Sequence, residues 1–343
     1  MSDFETFGEK RKSNVNRAVW IACGLLLCAI IGLEIGILAN RKSGSESSGT
    51  NNKKEKGEAT AAPTPTEEPY ILINENENTV ISRFNTPKGY KRVDVEGGSF
   101  GEYLRNLELK SWGEGAFLFS GAESDEASKL GVIVQDTPVI KAQQCADTAM
   151  LFYGEYCFKN GKYDKISFEF CDGFVCDFET WASGMRPNVV DKKKTTWIDK
   201  KGTAGVIDGD YSFENFIEYI KFVYVYSNTD SLVTELPTKN ADDLKPGDLF
   251  IVSQYQLAQQ AKAQGITTPT YGHAMMVADV CVNDEGEKMF MLIEGTTPAT
   301  DPVVVENPAA PGTVWFKFSE DGTFVKSTSG IKWQSTWIYT FEK

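Results

Sequence analysis

The stretch from Ala18 to Ala39 constrains this chain most: 22 residues, apolar except for Glu34. In lipid the backbone must satisfy its own hydrogen bonds, so a lone apolar stretch of this length is a helix. Its length matches the hydrocarbon core of a bilayer. A cleaved signal peptide has a shorter apolar core and a small-residue cleavage site. Here Asn40-Arg41-Lys42 follows instead. The expectation is an uncleaved, single-pass anchor. Basic residues nearly balance across it, with Lys10, Arg11, Lys12 and Arg17 before and Arg41, Lys42, Lys53 and Lys54 after. Charge alone therefore leaves orientation open. The long tether and folded domain beyond a short tail favour an inside N-terminus. The expected location is the cell membrane, with the C-terminal domain extracytoplasmic.

Glu34 is costly in lipid. Near the outer end of the span it reaches the headgroups, or it faces a partner helix. Gly24, Cys28, Gly32 and Gly36 recur every four residues. Such a small-residue stripe lets helices approach, which points to a homodimer through Gly32 and Gly36. The organisation read from the chain is a short tail (1–17), the transmembrane helix (18–39), a disordered linker (40–69) and a folded domain (70–343). The linker is rich in Ser, Thr, Glu, Lys and Pro, and such a composition cannot bury a core. Over the whole chain the net charge is −13, which disfavours nucleic acid as a partner.

Hydrophobic residues make up 41% of the chain and aromatics 12%, enough for a substantial core. Ser99-Phe100-Gly101-Glu102 has capping-box spacing and opens a short helix through Leu107. Leu130 to Val134 reads as a strand. A helix carrying Cys145, Ala149, Phe152 and Tyr156 on one face follows. Its start is open. Gln143–Gln144 would put Cys145 in the first turn, whereas Thr137–Pro138 would put it two turns inside. Ser212 caps a second helix with Phe213, Phe216, Ile217 and Ile220 apolar. Strands follow at Asp248–Ser253, His273–Val282, Lys288–Glu294, Val314–Phe318 and Thr336–Phe341, with a turn at Asn283-Asp284-Glu285-Gly286. A helix-rich front and a β-rich back give an α+β class, helices packed on an antiparallel sheet.

The chain holds one histidine, His273. A cysteine–histidine site here must use it. Cys145 lies near a helix start, where a thiolate gains from the helix end and from a neighbouring imidazolium. The two residues are 128 positions apart, so only the fold can join them. A third polar group should orient the imidazole. Asp279 lies six residues along the same strand, about 20 Å away, and is excluded. Glu294 ends the neighbouring hairpin strand, and antiparallel pairing brings it beside the start of the His273 strand. Cys145, His273 and Glu294 are thus the candidate catalytic residues, and Gln143 or Gln144 the candidate oxyanion donors. The alternative is a non-catalytic domain, since a buried cysteine on an apolar helix face is usually a small hydrophobe.

The segment Pro246-Gly247-Asp248-Leu249-Phe250 with Gly272-His273-Ala274-Met275-Met276-Val277 resembles the histidine half of NlpC/P60 and CHAP enzymes, which belong to the papain-like hydrolases. That resemblance implies a papain-like domain that cleaves cell-wall peptide bonds through a Cys–His pair and a third polar residue. From about Arg83 onward the chain also resembles a bacterial family, domain of unknown function 4846. Arg83-Phe84-Asn85-Thr86-Pro87-Lys88-Gly89-Tyr90, Ser99 to Arg105, Gln143-Gln144-Cys145-Ala146-Asp147, Gly247-Asp248 and Gly272-His273-Ala274 carry it. The family brings no established activity. Two departures stand out: a longer loop at Gln254–Tyr271, and a carboxylate at Glu294 where an amide is more usual.

Cys171 and Cys176 flank Asp172-Gly173-Phe174-Val175 and are candidates for a small disulfide loop outside the cell. One histidine and scattered thiols give no metal-ligand cluster, and no phosphate loop of useful spacing occurs, so no metal or cofactor is expected.

Overall fold

A computed structural model describes residues 70–342 except 126, 191–193, 264, 266–270 and 328–330. The tail, transmembrane segment and linker read from residues 1–69, with Glu34, Gly32 and Gly36, lie outside the described residues. Among those described, no helix is long and apolar enough to cross a membrane.

The first half is mainly helical. It runs α1 (Val80–Arg83), β1 (Lys91–Arg92), α2 (Phe100–Arg105) and α3 (Cys145–Lys159). Next come β2 (Ser167–Glu169), β3 (Val175–Asp177), α4 (Phe178–Ala182), β4 (Met185–Val190) and β5 (Lys194–Asp199). Two helices, α5 (Phe213–Tyr226) and α6 (Thr229–Glu235), complete it. The second half is mainly strands: β6 (Asp248–Val252), then α7 (Gln254–Ala263), β7 (His273–Val282) and β8 (Lys288–Glu294). Short strands end the chain: β9 (Val303–Val304), β10 (Trp315–Phe316), β11 (Thr323–Val325), β12 (Lys332–Gln334) and β13 (Ile338–Thr340). The class is mixed α/β with antiparallel sheets.

The main sheet has the order β10-β8-β7-β6-β13, with β1 also pairing β7 and β9 also pairing β8. β7 is the longest strand and lies at its centre. Apolar side chains leave both faces of β7. Ala274, Met276 and Ala278 join a cluster with α2, α3 and α5, while Met275 and Val277 join Phe250, Phe290, Phe324 and Trp333 on the other face. Both faces are therefore covered, which accounts for the near-continuous apolar sequence of β6 and β7.

A β-bulge separates Val277 from Asp279, where two positions of β7 oppose one step of β8. After it the alternation slips by one, so that Cys281 returns to the helix face and Val280 to the other. The slip turns Asp279, fully buried, toward β1 and α2. Arg92 Nε donates to its Oδ2 at 2.5 Å, and Arg105 Nε to its Oδ1 at 2.8 Å. A buried carboxylate needs such partners.

Local chemistry explains the helices. Ser99 accepts from the Glu102 N–H and Ser212 from the Asn215 N–H, as their spacings predict. α3 differs from the one-faced helix expected. Every residue from Cys145 to Cys157 is buried, because the sheet lies on one side and α5 on another. Residues 130–134 do not form a strand. Val132 and Ile133 make only isolated bridges, to Val303 of the two-residue β9 and to Leu109, too few to continue as a ladder. The presumed loop Gln254–Tyr271 opens with α7. Ser253 Oγ accepts from the Gln256 N–H while Gln256 Oε1 accepts from the Ser253 N–H, a reciprocal cap legible as Ser-x-x-Gln.

Cys171 and Cys176 are both free thiols, the first exposed and the second buried. The hairpin register sets Cys176 opposite Phe168, with Cys171 in the turn, so the two are not bonded across the hairpin.

Asp279→Ala should remove roughly 3–5 kcal/mol of stability, because two inward-facing arginines lose their shared anion. Urea unfolding of the wild type and the variant measures this directly.

Candidate active site

Three elements converge at one end of β7. α3 brings Cys145, β7 opens with His273, and β8 closes with Glu294. The helix begins at Cys145 itself, with Gln144 extended as its cap and Asp147 Oδ2 accepting the Gln144 N–H at 2.9 Å. Of the two starts open from sequence, the structure takes the later. The thiol therefore lies at the positive end of the helix.

Two glycines permit close packing beside the site. A Cβ on Gly272 would fall 2.9 Å from the Val252 carbonyl oxygen and 2.9 Å from the Gln254 nitrogen, both rigid backbone. A Cβ on Gly295 would clash with Thr148 Oγ1 of α3. Gly272 precedes His273 and Gly295 follows Glu294, so the histidine rides on a segment held close to Val252 and Gln254, and the carboxylate on one held close to the start of α3.

Cys145 is 5% exposed, and its thiol faces the His273 imidazole. Its Sγ also lies 3.9 Å from the Gly272 carbonyl oxygen. On the other side of the ring, Nε2 meets Glu294 Oε2 at 2.5 Å. With Nε2 so engaged, Nδ1 is the nitrogen left to face the thiol. The hairpin explains the carboxylate: Met276 pairs with Ile293, so Glu294 falls opposite Met275, one diagonal from His273. Asp279, excluded by distance, is held by the two arginines.

Two residues here had no signal in the sequence. Lys326, just after β11, donates to Glu294 Oε2 and lies 3.1 Å from His273 Nε2. Trp333 of β12 sets its ring edge-on to the imidazole, 5.8 Å between centroids. Both come from the β11–β12 hairpin, which folds over the sheet from a distant part of the chain.

The glutamines separate. Gln143 is buried, and its amide nitrogen is committed to Gln135 Oε1 at 2.5 Å. Gln144 is exposed, and its Oε1 accepts from Thr297 Oγ1 at 3.3 Å, which leaves its amide nitrogen as the end that can donate.

The charges reinforce one another. Burial pushes the Cys145 thiol up, but the charge and hydrogen bond of His273, with the backbone N–H groups of Ala274 and Ala146, hold it below its ordinary value. Burial and Lys326 push the imidazole down, yet Cys145 and Glu294 outweigh them and raise it. Burial would also raise Glu294, but Lys326 and then His273 pull it down to about 2. The two shifts run toward each other, the thiol down and the imidazole up, each with the other among its causes. Among the described residues no group of His, Cys, Asp and Glu is placed to hold a metal ion.

Comparison with known proteins gives one match: the family described as domain of unknown function (4846) covers residues 80–335, most of the chain. The chain belongs to that family. No curated protein and no solved structure matches it.

Gly272→Ala should cost about 1–3 kcal/mol of stability, since the methyl group meets backbone on two sides. Thermal unfolding compared with wild type checks it; an unchanged midpoint would mean the approach is looser than described.

Proposed function

We propose that this chain, as a member of that family, is a membrane-tethered thiol hydrolase of papain-like, NlpC/P60-type arrangement that cleaves a peptide or amide bond of the cell envelope. The observation that carries this reading is the continuous line from thiol to imidazole to carboxylate, with the thiol on the first residue of a helix.

The chemistry follows from the geometry. The Cys145 thiolate attacks the substrate carbonyl carbon. The first N–H groups of a helix have no partner within it, and that of Cys145 is one of them. Together with the Gln144 amide it faces the oxyanion that forms. The imidazolium of His273 gives its proton to the departing amine, and the carbon–nitrogen bond breaks to leave a thioester. A water then loses its proton to His273 and attacks the thioester, releasing the acid and restoring the thiolate and imidazolium. Glu294 holds Nε2 throughout, keeping the ring aligned and stabilising its charge.

A second reading, a tethered module that binds envelope polymer without cleaving it, draws on the burial of Cys145. It also draws on Tyr255 and Tyr271, 72% and 65% exposed, which flank the segment leading into His273.

The test uses the full chain in detergent with cross-linked cell-wall peptides, products being read by mass spectrometry. Wild type should release new amine and carboxyl ends, and Cys145→Ser should be slower by roughly 10³-fold or more. An equally active Cys145→Ser variant would overturn the assignment. Retention of the peptides without cleavage by either form would establish the binding module.

A further inference from the structure

Four ionisable groups meet at the end of β7, and the reaction above uses three. The fourth is Lys326. Its side chain is only 19% exposed, a costly place for an ammonium that had no task there. Its Nζ donates to Glu294 Oε2, the same oxygen that holds His273 Nε2 at 2.5 Å, and lies 3.1 Å from Nε2 itself. Two donors thus converge on one oxygen.

The contacts of Lys326 and Glu294 with the ring belong to opposite states of the imidazole. Nε2 can donate to Glu294 only while it carries a proton. Lys326 can donate to Nε2 only when that nitrogen is bare. The lysine therefore favours the neutral ring and the carboxylate favours the charged one. Among the described residues, other elements also face the ring. Cys145 faces it from α3, Trp333 closes its edge from β12 without charge, and β6 offers Val252 as the partner of His273.

We propose that Lys326 is a positioning residue that acts through Glu294 and His273: its ammonium keeps the carboxylate ionised and loosens the imidazole's hold on its proton. The inference deepens the thiol-hydrolase reading and rests on it for its purpose. An imidazolium gripped by a thiolate and a buried carboxylate is a poor acid toward a leaving amine. A cation beside it restores the ease of transfer, as general acid catalysis requires a pKa near the working pH.

The single histidine makes the test direct. The full chain, prepared in detergent without a polyhistidine tag and labelled with ¹³C in histidine, gives one ring Cε1–Hε1 resonance, whose pH titration reports His273 alone. Lys326→Met and Lys326→Gln should each raise its midpoint by about one pH unit or more, since a like charge in contact is lost. Lys326→Arg, which keeps the charge, should leave the midpoint close to wild type, and Glu294→Gln should lower it. Dispersed amide resonances confirm folding, and Met and Gln differ enough in polarity for one to stand in for the other. An unmoved or lowered midpoint in the folded uncharged variants overturns the proposal. Failure of the hydrolase reading would look different: an active Cys145→Ser variant, while the shift between wild type and the uncharged Lys326 variants stands.

Discussion

Asp279 is a carboxylate with no access to water, and both its oxygens are taken by arginines from other elements. A buried charge of this kind tolerates only one arrangement of its surroundings, because any register that separates it from Arg92 and Arg105 leaves three charges unpaired. The bulge beside it makes the pairing geometrically possible, and the pair in turn fixes where the bulge falls. From that point β7 runs back to His273 with its alternation set. A slip of one residue against β8 would turn every side chain to the opposite face. The imidazole would then leave the end of α3, and Glu294 would lose its diagonal position. An ion pair six residues from the histidine thus sets the register on which the histidine's placement depends.

The site itself is a row of ionisable groups built on that register. Thiol, imidazole, carboxylate and lysine amine follow one another from α3 to the β11–β12 hairpin. Each is too buried to be stable alone, and each supplies the neighbour that the next requires. The same row of groups explains why the backbone comes so close here. Gly295 gives up a side chain where α3 approaches the end of β8, Gly272 does so where β7 begins beside Val252 and Gln254, and the backbone N–H groups of Ala146 and Ala274 add to the stabilisation of the sulfur. Tight packing and charge arrangement are one design, because the electrostatic effects grow as water is excluded.

Much of this was legible in the chain, and the limits have physical causes. β7 and β8 start and stop where their apolar runs and the Asn283–Gly286 turn place them, so simple hairpin arithmetic put Glu294 near His273. The lone histidine left no choice of base. The start of α3 was ambiguous, since Pro138 is as acceptable a first residue as the observed cap, and the choice rests on Asp147 capping Gln144. The bulge was invisible, because alternation in a strand buried on both faces has no polar phase to lose. Lys326 and Trp333 belong to a short hairpin whose role comes from where it folds, and nothing within Phe324-Val325-Lys326 marks that lysine as different from a surface one. The helix α7 was a missed signal: Ser253 and Gln256 stood at capping-box spacing throughout.

The central claim is that Cys145 and His273 form an ionised pair. The rate at which each thiol of the full chain is alkylated, followed by mass spectrometry against pH in wild type and His273→Ala, tests it most directly. Cys145 should react well below the ordinary thiol value of about 8.5 and lose that reactivity without His273, while Cys157, Cys176 and Cys281, raised by burial, stay slow. A Cys145 that is inert, or whose reactivity is indifferent to His273, would contradict the account.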